Sequence, residues 1–437
     1  MLKILTHRTY RHLFLAQVIA LVGTGLATIA LGLLAYDLAG AEAGAVLGTA
    51  LAIKMTAYIG VAPVAAAFAE RLPRRTLLVS LDLIRALVAL ALPFVHEVWQ
   101  VYVLIFVLQS ASAAFTPTFQ ATIPDILTDE DDYTKALSLS RLAYDLESVA
   151  SPMLAAALLT IMSFHSLFAG TVVGFLASAA LVCTVVLPKA SAVQRRSVYE
   201  RTTRGLRIFL ATPRLRGLLA LNLTVAAASA MVIVNTVVLV QSGFGLTQSS
   251  TALALAAFGG GSMFAALLLP RMLKGFSDRS AMLGGGAILV AGLGAGMALN
   301  SYYALLPLWF VLGIGYSLAQ TPGGRLLRRS AHPEDRPALF AAQFALSHAC
   351  WLITYPLAGW LGAKVGLNAS FVALTMVAGA ALLCSMIIWR PAHDRAFIEH
   401  SHDGDSEADH GEAGASTHRH PYIIDDRHPR WPKDQRN

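Results

Sequence analysis

Charge is what this sequence has least of: only 14% of its 437 residues are Asp, Glu, Lys or Arg, against 56% hydrophobic. A soluble chain keeps about a quarter of its residues charged, because a water-facing surface has to be covered. The deficit excludes a soluble core of this size. Cysteine is nearly as sparse. Cys183, Cys350 and Cys384 stand far apart inside apolar runs with no CxxC pair, which excludes a disulfide framework and a zinc knuckle. No Walker A run, DxxDG loop or nucleotide fold occurs, so nothing couples the chain directly to ATP. Phe258-Gly259-Gly260-Gly261 lacks the strand context of a dinucleotide site. Neither catalysis nor a resident cofactor is expected. The segment from Met1 to Arg11 carries charge but no short apolar run with a small-residue cleavage site. The first apolar stretch therefore reads as a retained helix.

What the chain does have is long apolar runs. They fall at roughly 13–36, 43–68, 76–95, 98–117, 136–160 and 164–187, then 217–240, 250–270, 281–299, 302–322, 338–361 and 368–389. A spanning helix needs about 20 mostly apolar residues, and backbone groups in lipid must be satisfied within the segment. The expected fold is an all-α membrane protein of twelve transmembrane helices. Its expected domains are a six-helix half at 1–187, a cytoplasmic linker at 188–216, a second six-helix half at 217–390 and a tail at 391–437.

Basic residues set the expected orientation. Lys3, Arg8 and Arg11, then Arg71, Arg74 and Arg75, then Lys135 lie on one side. Eight more between Lys189 and Arg216 join them, with Arg271, Lys274, Arg279, Arg325, Arg328, Arg329, Arg336 and seven from Arg390 onward. The opposite loops hold only Lys364. The positive-inside rule then puts both termini in the cytoplasm of a multi-pass inner-membrane protein. It also explains a pI near 9.4 without nucleic acid.

A weak repeat relates the halves. Asp131-Asp132-Tyr133 and Ser151-Pro152 correspond to Glu334-Asp335-Arg336 and Tyr355-Pro356 at a nearly constant offset. Two parallel halves with a midplane site describe a secondary transporter. The loop Ala66-Ala67-Phe68-Ala69-Glu70-Arg71-Leu72-Pro73-Arg74-Arg75 resembles the signature loop of the major facilitator superfamily, Gly-x-x-x-Asp-Arg-x-Gly-Arg-Arg. Glu70, Arg71, Arg74 and Arg75 match in kind, whereas Ala66 and Pro73 replace glycines. The resemblance implies that these charged groups tie helix ends together on the cytoplasmic side and release them during rocking. Ser148 to Ala156 is similar to that family's antiporter motif, with small residues in place of its glycines, which leaves room for close helix packing. Gln320-Thr321-Pro322-Gly323-Gly324-Arg325, Ser347 to Trp351 and the tail resemble the exporters of the family that confer nickel resistance, the NreB type.

Charged groups inside lipid are costly and invite a functional reading. Arg141 and Asp145, four apart on the fifth helix, are placed to neutralise one another. Glu147 lies about 200° round from Asp145, without a partner on its own helix. It reads either as the proton-coupling acid or as the partner of Lys54. Asp82 and Arg85 read as structural. His348, Trp351 and Tyr355 share one face of the eleventh helix, so His348 and Tyr355 are candidates to line the substrate path. Asn222 and Asn235 offer carbonyl oxygens there, or hydrogen bonds between helices. Seven of the thirteen histidines lie in the tail. His400, His402, His410, His418 and His420, with Asp403, Asp405, Glu407, Asp409 and Glu412 among them, suit Ni²⁺, Cu²⁺ or Zn²⁺. The tail is too poor in apolar residues to bury a core and is expected to be disordered without ligand.

These readings converge on a monomeric, proton-driven exporter of divalent metal, nickel first and cobalt or zinc next. Its partners would be the metal ion, protons and the lipid bilayer. A multidrug or siderophore exporter on the same scaffold is the alternative, and a membrane metal sensor is a further one.

Overall fold

A computed structural model describes residues 2–39, 43–69, 72–159, 161–188, 198–394, 398–401, 417–420, 422–425, 428 and 431. A helix stands at each of the twelve apolar runs. The first six are α1 (Arg8–Ala39), α2 (Ala43–Ala69), α3 (Arg74–Ala91), α4 (Val98–Ile126), α5 (Glu130–Leu159) and α6 (Phe164–Cys183). After a shorter helix, α7 (Val198–Ala211), come α8 (Pro213–Val237), α9 (Gln248–Met272), α10 (Asp278–Gly296) and α11 (Tyr302–Gln320). The one-and-a-half-turn α12 (Gly323–Arg328) then leads into α13 (Arg336–Lys364) and α14 (Leu367–Ile388). Among the described residues, nine helices are long and apolar enough to cross a membrane. Helix α5 is not one of them, because its first turn is Glu130, Asp131 and Asp132 and it carries Arg141, Asp145 and Glu147 further on.

Each half packs through small residues. Thr171 on α6 donates its hydroxyl to the carbonyl of Gly23 on α1 at 2.8 Å. In the second half, a Cβ on Gly261 of α9 would lie 1.9 Å from the carbonyl of Phe310 on α11. A Cβ on Gly313 of α11 would meet the carbonyl of Phe258 at the same distance. This pair accounts for part of the glycine cluster: it permits backbone contact where lipid supplies no hydrophobic driving force. Asp82 and Arg85 form a buried pair inside the first half. Ser178 donates to Asp82 at 2.8 Å, and the Arg85 guanidinium lies between Phe115 and Phe175 at 4.1 and 4.6 Å. That is an internal structural charge pair, as its spacing suggested.

The connection between the halves is less loose than a linker. Helix α7 places Ile208 and Phe209 in the core of the second half. Arg204 forms a buried bidentate pair with Asp335 just ahead of α13, and Gly205 sits where any Cβ would strike the Ala338 carbonyl. The same helix packs against α2 and so touches both halves. In the tail, β1 (Ile398–Ser401) pairs antiparallel with β2 (Thr417–His420), with His400 opposite His418. The tail also departs from expected disorder at its far end. Tyr422 and Ile424 are buried in the core of the second half, and Trp431 packs against it, because these large apolar side chains find there the core that the segment cannot build alone.

Candidate transport path and gate

The two halves meet most firmly at the end that carries the basic residues. Asp125, at the end of α4, holds two arginines at once. Its Oδ2 lies 2.7 Å from Arg74 at the start of α3, and its Oδ1 lies 2.7 Å from Arg336 at the start of α13. The reciprocal contact runs from α12 to the start of α5. Arg325 pairs with Glu130 at 2.7 Å and donates to the Thr134 hydroxyl, and on its own side it pairs with Asp278 at 3.0 Å. Arg328 donates to the Thr128 carbonyl, and its guanidinium lies 5.2 Å from the ring of buried Tyr133. Lys274 and Asp131 add an exposed pair at 3.5 Å, of a kind worth little. Among the described residues, every ion pair between the halves lies at this end. The molecule is closed there.

Of the signature-loop residues, Arg74 is a gate residue and Arg75 is exposed, while Glu70 and Arg71 lie outside the described residues. Asp125 was missed. A carboxylate at the strongly basic end of an otherwise apolar helix was the available signal.

Deeper in, α5 contributes three charged groups. Arg141 pairs with Asp145, as their spacing implied, with Nε 3.0 Å from Oδ1. Its third contact comes from the other half: Arg141 donates to the Tyr316 hydroxyl of α11 at 3.2 Å and lies 4.6 Å from that ring. Glu147 is half-buried and has no such arginine. Its carboxylate sits with the Ser151 hydroxyl over Gly25 of α1, where a Cβ would come within 2.5 Å of both. Lys54 influences it electrostatically but makes no ion pair with it. The Lys54 ammonium lies instead 5.6 Å from the ring of Tyr58.

Tyr58 connects Lys54 to the second half. Its hydroxyl donates to Gln109 Oε1 of α4 at 2.9 Å, and its ring packs on Phe344 and edge-on to His348 at 4.9 and 4.7 Å. His348 Nδ1 lies 2.7 Å from the Phe344 carbonyl. A carbonyl can only accept, so Nδ1 carries the proton and the neutral ring keeps an Nε2 lone pair. That is the tautomer a metal or proton acceptor needs. The Trp351 and Tyr355 rings meet at a tilt, 4.9 Å apart, and Tyr355 packs on the core of the second half rather than joining His348.

The asparagines sit elsewhere. Asn235 is buried in the second half, where its amide donates to the Ala358 carbonyl and the Ser370 hydroxyl, both at 3.1 Å. This is the interhelical hydrogen-bond role. Asn235→Ala should therefore lower the thermal unfolding temperature by several degrees, the amide being worth about 1–3 kcal/mol when its buried partners are left unmet. Transport per folded molecule should be unchanged; loss of flux at full stability would put Asn235 back on the path. Asn222 is also buried, with no partner for its Nδ2 among the described residues. Of the tail histidines, His402 and His410 lie outside the described residues, and His400, His418 and His420 are placed only as strand backbone. Sequence reasoning missed Tyr58, Gln109, Tyr316 and Phe344. Single aromatics on apolar helices carry no spacing that separates a shared face from ordinary core.

Helical halves tied together by ion pairs at one end and sharing a polar and aromatic seam suit a membrane transporter. A sequence model described as Major Facilitator Superfamily matches residues 13–274 and 218–422. The chain belongs to the Major Facilitator Superfamily. Among its relatives, the MFS-type transporter YfiS of Bacillus subtilis is 24% identical over 71% of this chain and 76% of its own length. The macrolide efflux protein A of Streptococcus pyogenes is 26% identical over 32% of this chain and 38% of that protein. Two solved structures share the fold. The human organic anion transporter MFSD10 superposes with a TM-score of 0.75 at 12% identity, over 87% of this chain and 99% of that one. A bacterial homologue of the iron transporter ferroportin, in an outward-facing state, gives 0.72 at 15% identity, over 87% and 98%. This superfamily member is thus a multi-pass membrane transporter with a gate already drawn shut at its basic end.

Proposed function

We propose that this transporter is a proton-driven exporter of the bacterial inner membrane, with its basic end facing the cytoplasm and Glu147 as the coupling acid. Glu147 carries the reading: of the two carboxylates deep in α5, Asp145 is held by Arg141 and Glu147 has no basic group at ion-pair distance among the described residues, so its proton can leave and return without breaking a salt bridge. The cytoplasm-closed form would be the state that releases cargo outside. Protonation from outside would neutralise Glu147, and the halves would rock back to capture cargo within. The chain acts as a carrier and needs no cofactor.

For cargo we propose a divalent metal ion, nickel first and cobalt or zinc next. The dispersed tail histidines support it, since a weak chelator tethered at the cytoplasmic mouth raises local ion concentration. The bare Nε2 of His348 offers a donor along the seam. An amphipathic organic cargo is the second reading, favoured by the aromatic faces of Tyr58, Phe344, Trp351 and Tyr355 and by the macrolide efflux relatives. A resistance panel separates them. Expression in a sensitive bacterium should raise nickel tolerance and lower cell-associated metal. Truncation after Arg395 should weaken tolerance without abolishing it. Protection against organic toxins alone, with no divalent ion affected, would transfer the assignment to the second reading.

A further inference from the structure

Arg214, in the first turn of α8, is a buried guanidinium with no carboxylate at ion-pair distance among the described residues. A buried charge without a counter-ion is costly unless its donors are met. Arg214 meets its donors through neutral groups. Its Nε donates to the Ser330 hydroxyl at 2.8 Å, and its NH2 donates to the Arg329 carbonyl at 3.1 Å. The remaining contacts come from more than two hundred positions along the chain. The same NH2 lies 3.4 Å from the Tyr422 carbonyl, and the guanidinium lies 5.2 Å from the Trp431 ring.

Around this arginine the end of the tail is packed in earnest. Tyr422 and Ile424 are buried, and Tyr422 meets both Trp431 and His428 edge-on at 5.3 and 4.9 Å. Asp425 lies 3.4 Å from the Nε2 of His332, in the loop before α13, and 3.1 Å from the Nδ1 of His428. Those two imidazoles hold the Asp425 carboxyl well below the usual carboxylate range, and Asp425 in turn raises His332. The near end of the tail is fastened to the same region, where Arg329 binds Asp394.

We propose that the cytoplasmic end of the second half is a docking site for the chain's own C-terminal tip, Tyr422 to Trp431, and that the docked tip holds the gate closed. The connection is continuous. Arg214 holds the Arg329 carbonyl and the Ser330 hydroxyl just after α12. Arg329 and Arg325 share Asp278, and Arg325 reaches Glu130 of the other half. With the tip removed, Arg214 loses its aromatic face and an acceptor, and water must enter beside α12 to replace them.

The test separates the tip from the histidines. A stop codon in place of Tyr422 keeps every histidine through His420 and deletes the tip. In a background with the three native cysteines replaced by serine, Thr134→Cys, at a position buried beneath Arg325 of the other half while the gate is closed, reports gate opening through its reaction with an impermeant maleimide in inside-out vesicles. The tipless chain should label about fivefold faster than the full chain, as expected when a closed population loses roughly 1 kcal/mol. A full-length Tyr422→Ala, Trp431→Ala chain should behave like the tipless one. Trp431→Phe should label at the full-chain rate, since it keeps an aromatic face for Arg214. A synthetic peptide of residues 422–437 should slow labelling of the tipless chain. If the truncated protein fails to accumulate, the double alanine variant decides. Labelling at the full-chain rate in the double alanine variant would overturn the proposal, and so would a peptide that leaves the tipless rate unchanged.

Discussion

Glu147→Gln should cut proton-driven efflux by about a hundredfold or more, the scale on which a positioned acid–base group contributes, while membrane insertion stays normal. Glutamine keeps the size of the side chain and can still face Ser151 and Gly25, so the change removes titration and little else. The structure sharpens the competing explanation. Had Glu147 served to neutralise Lys54, the two would form an ion pair, and losing one would strand the other in lipid. Lys54 instead lies over Tyr58, with Glu147 beside Ser151. Glu147→Gln with Lys54→Met should accordingly remain inactive. Flux into inverted vesicles under an imposed pH gradient measures both. Normal flux in the single variant removes Glu147 from coupling, and recovery in the double variant makes it a charge partner.

Asp125→Asn should open the basic end. Asp125 is mostly buried and is held by Arg74 and Arg336, one from each half. Removing one partner of a buried ionic group costs about 3–5 kcal/mol, because the charges left behind are uncompensated. Only the contact to Arg336 is lost in ordinary rocking, since Arg74 and Asp125 belong to the same half. If about 2 kcal/mol of the cost falls on the closed state, its ratio to the open state drops about thirtyfold. Spin labels at Asp132→Cys and Lys274→Cys, exposed positions in opposite halves, would read this as a growing long-distance population. A distance distribution identical to that of the unsubstituted protein would show that the gate does not depend on Asp125. The pair Arg325 and Glu130, half-exposed and backed by Asp278, should give a smaller shift when broken, because water screens the Glu130 side.

The positions of the helices at the apolar runs and the Arg141–Asp145 pair were legible in the residues. Each depends on separations of a few residues along one chain segment, or on the solvent that segment must occupy. An apolar run has to be helical in lipid wherever it packs, and two opposite charges four apart on a helix meet whatever lies across from them. The second partner of Arg141 was not legible. Tyr316 lies in the other half, and no local pattern distinguishes it from the aromatics that fill the core. The same limit applies to Asn235. Its sequence position allowed either a path residue or an interhelical hydrogen-bonder, and only the packing of α8 against α13 and α14 supplies the acceptors that choose.

The tail shows the limit from the other side. Its low apolar content argued against a core of its own, yet Tyr422, Ile424 and Trp431 needed no core of their own. They use one already built by the second half, around an arginine that lacked a counter-ion. The sequence by itself determined the solvent, the helices and the charge asymmetry, because those follow from composition and short-range geometry. Only the tertiary structure decided which end is shut, which of the two carboxylates deep in α5 stands without an arginine and where Tyr422, Ile424 and Trp431 pack. Those outcomes depend on contacts between segments one to two hundred residues apart, and burial and charge compensation select among such contacts only once the halves are assembled.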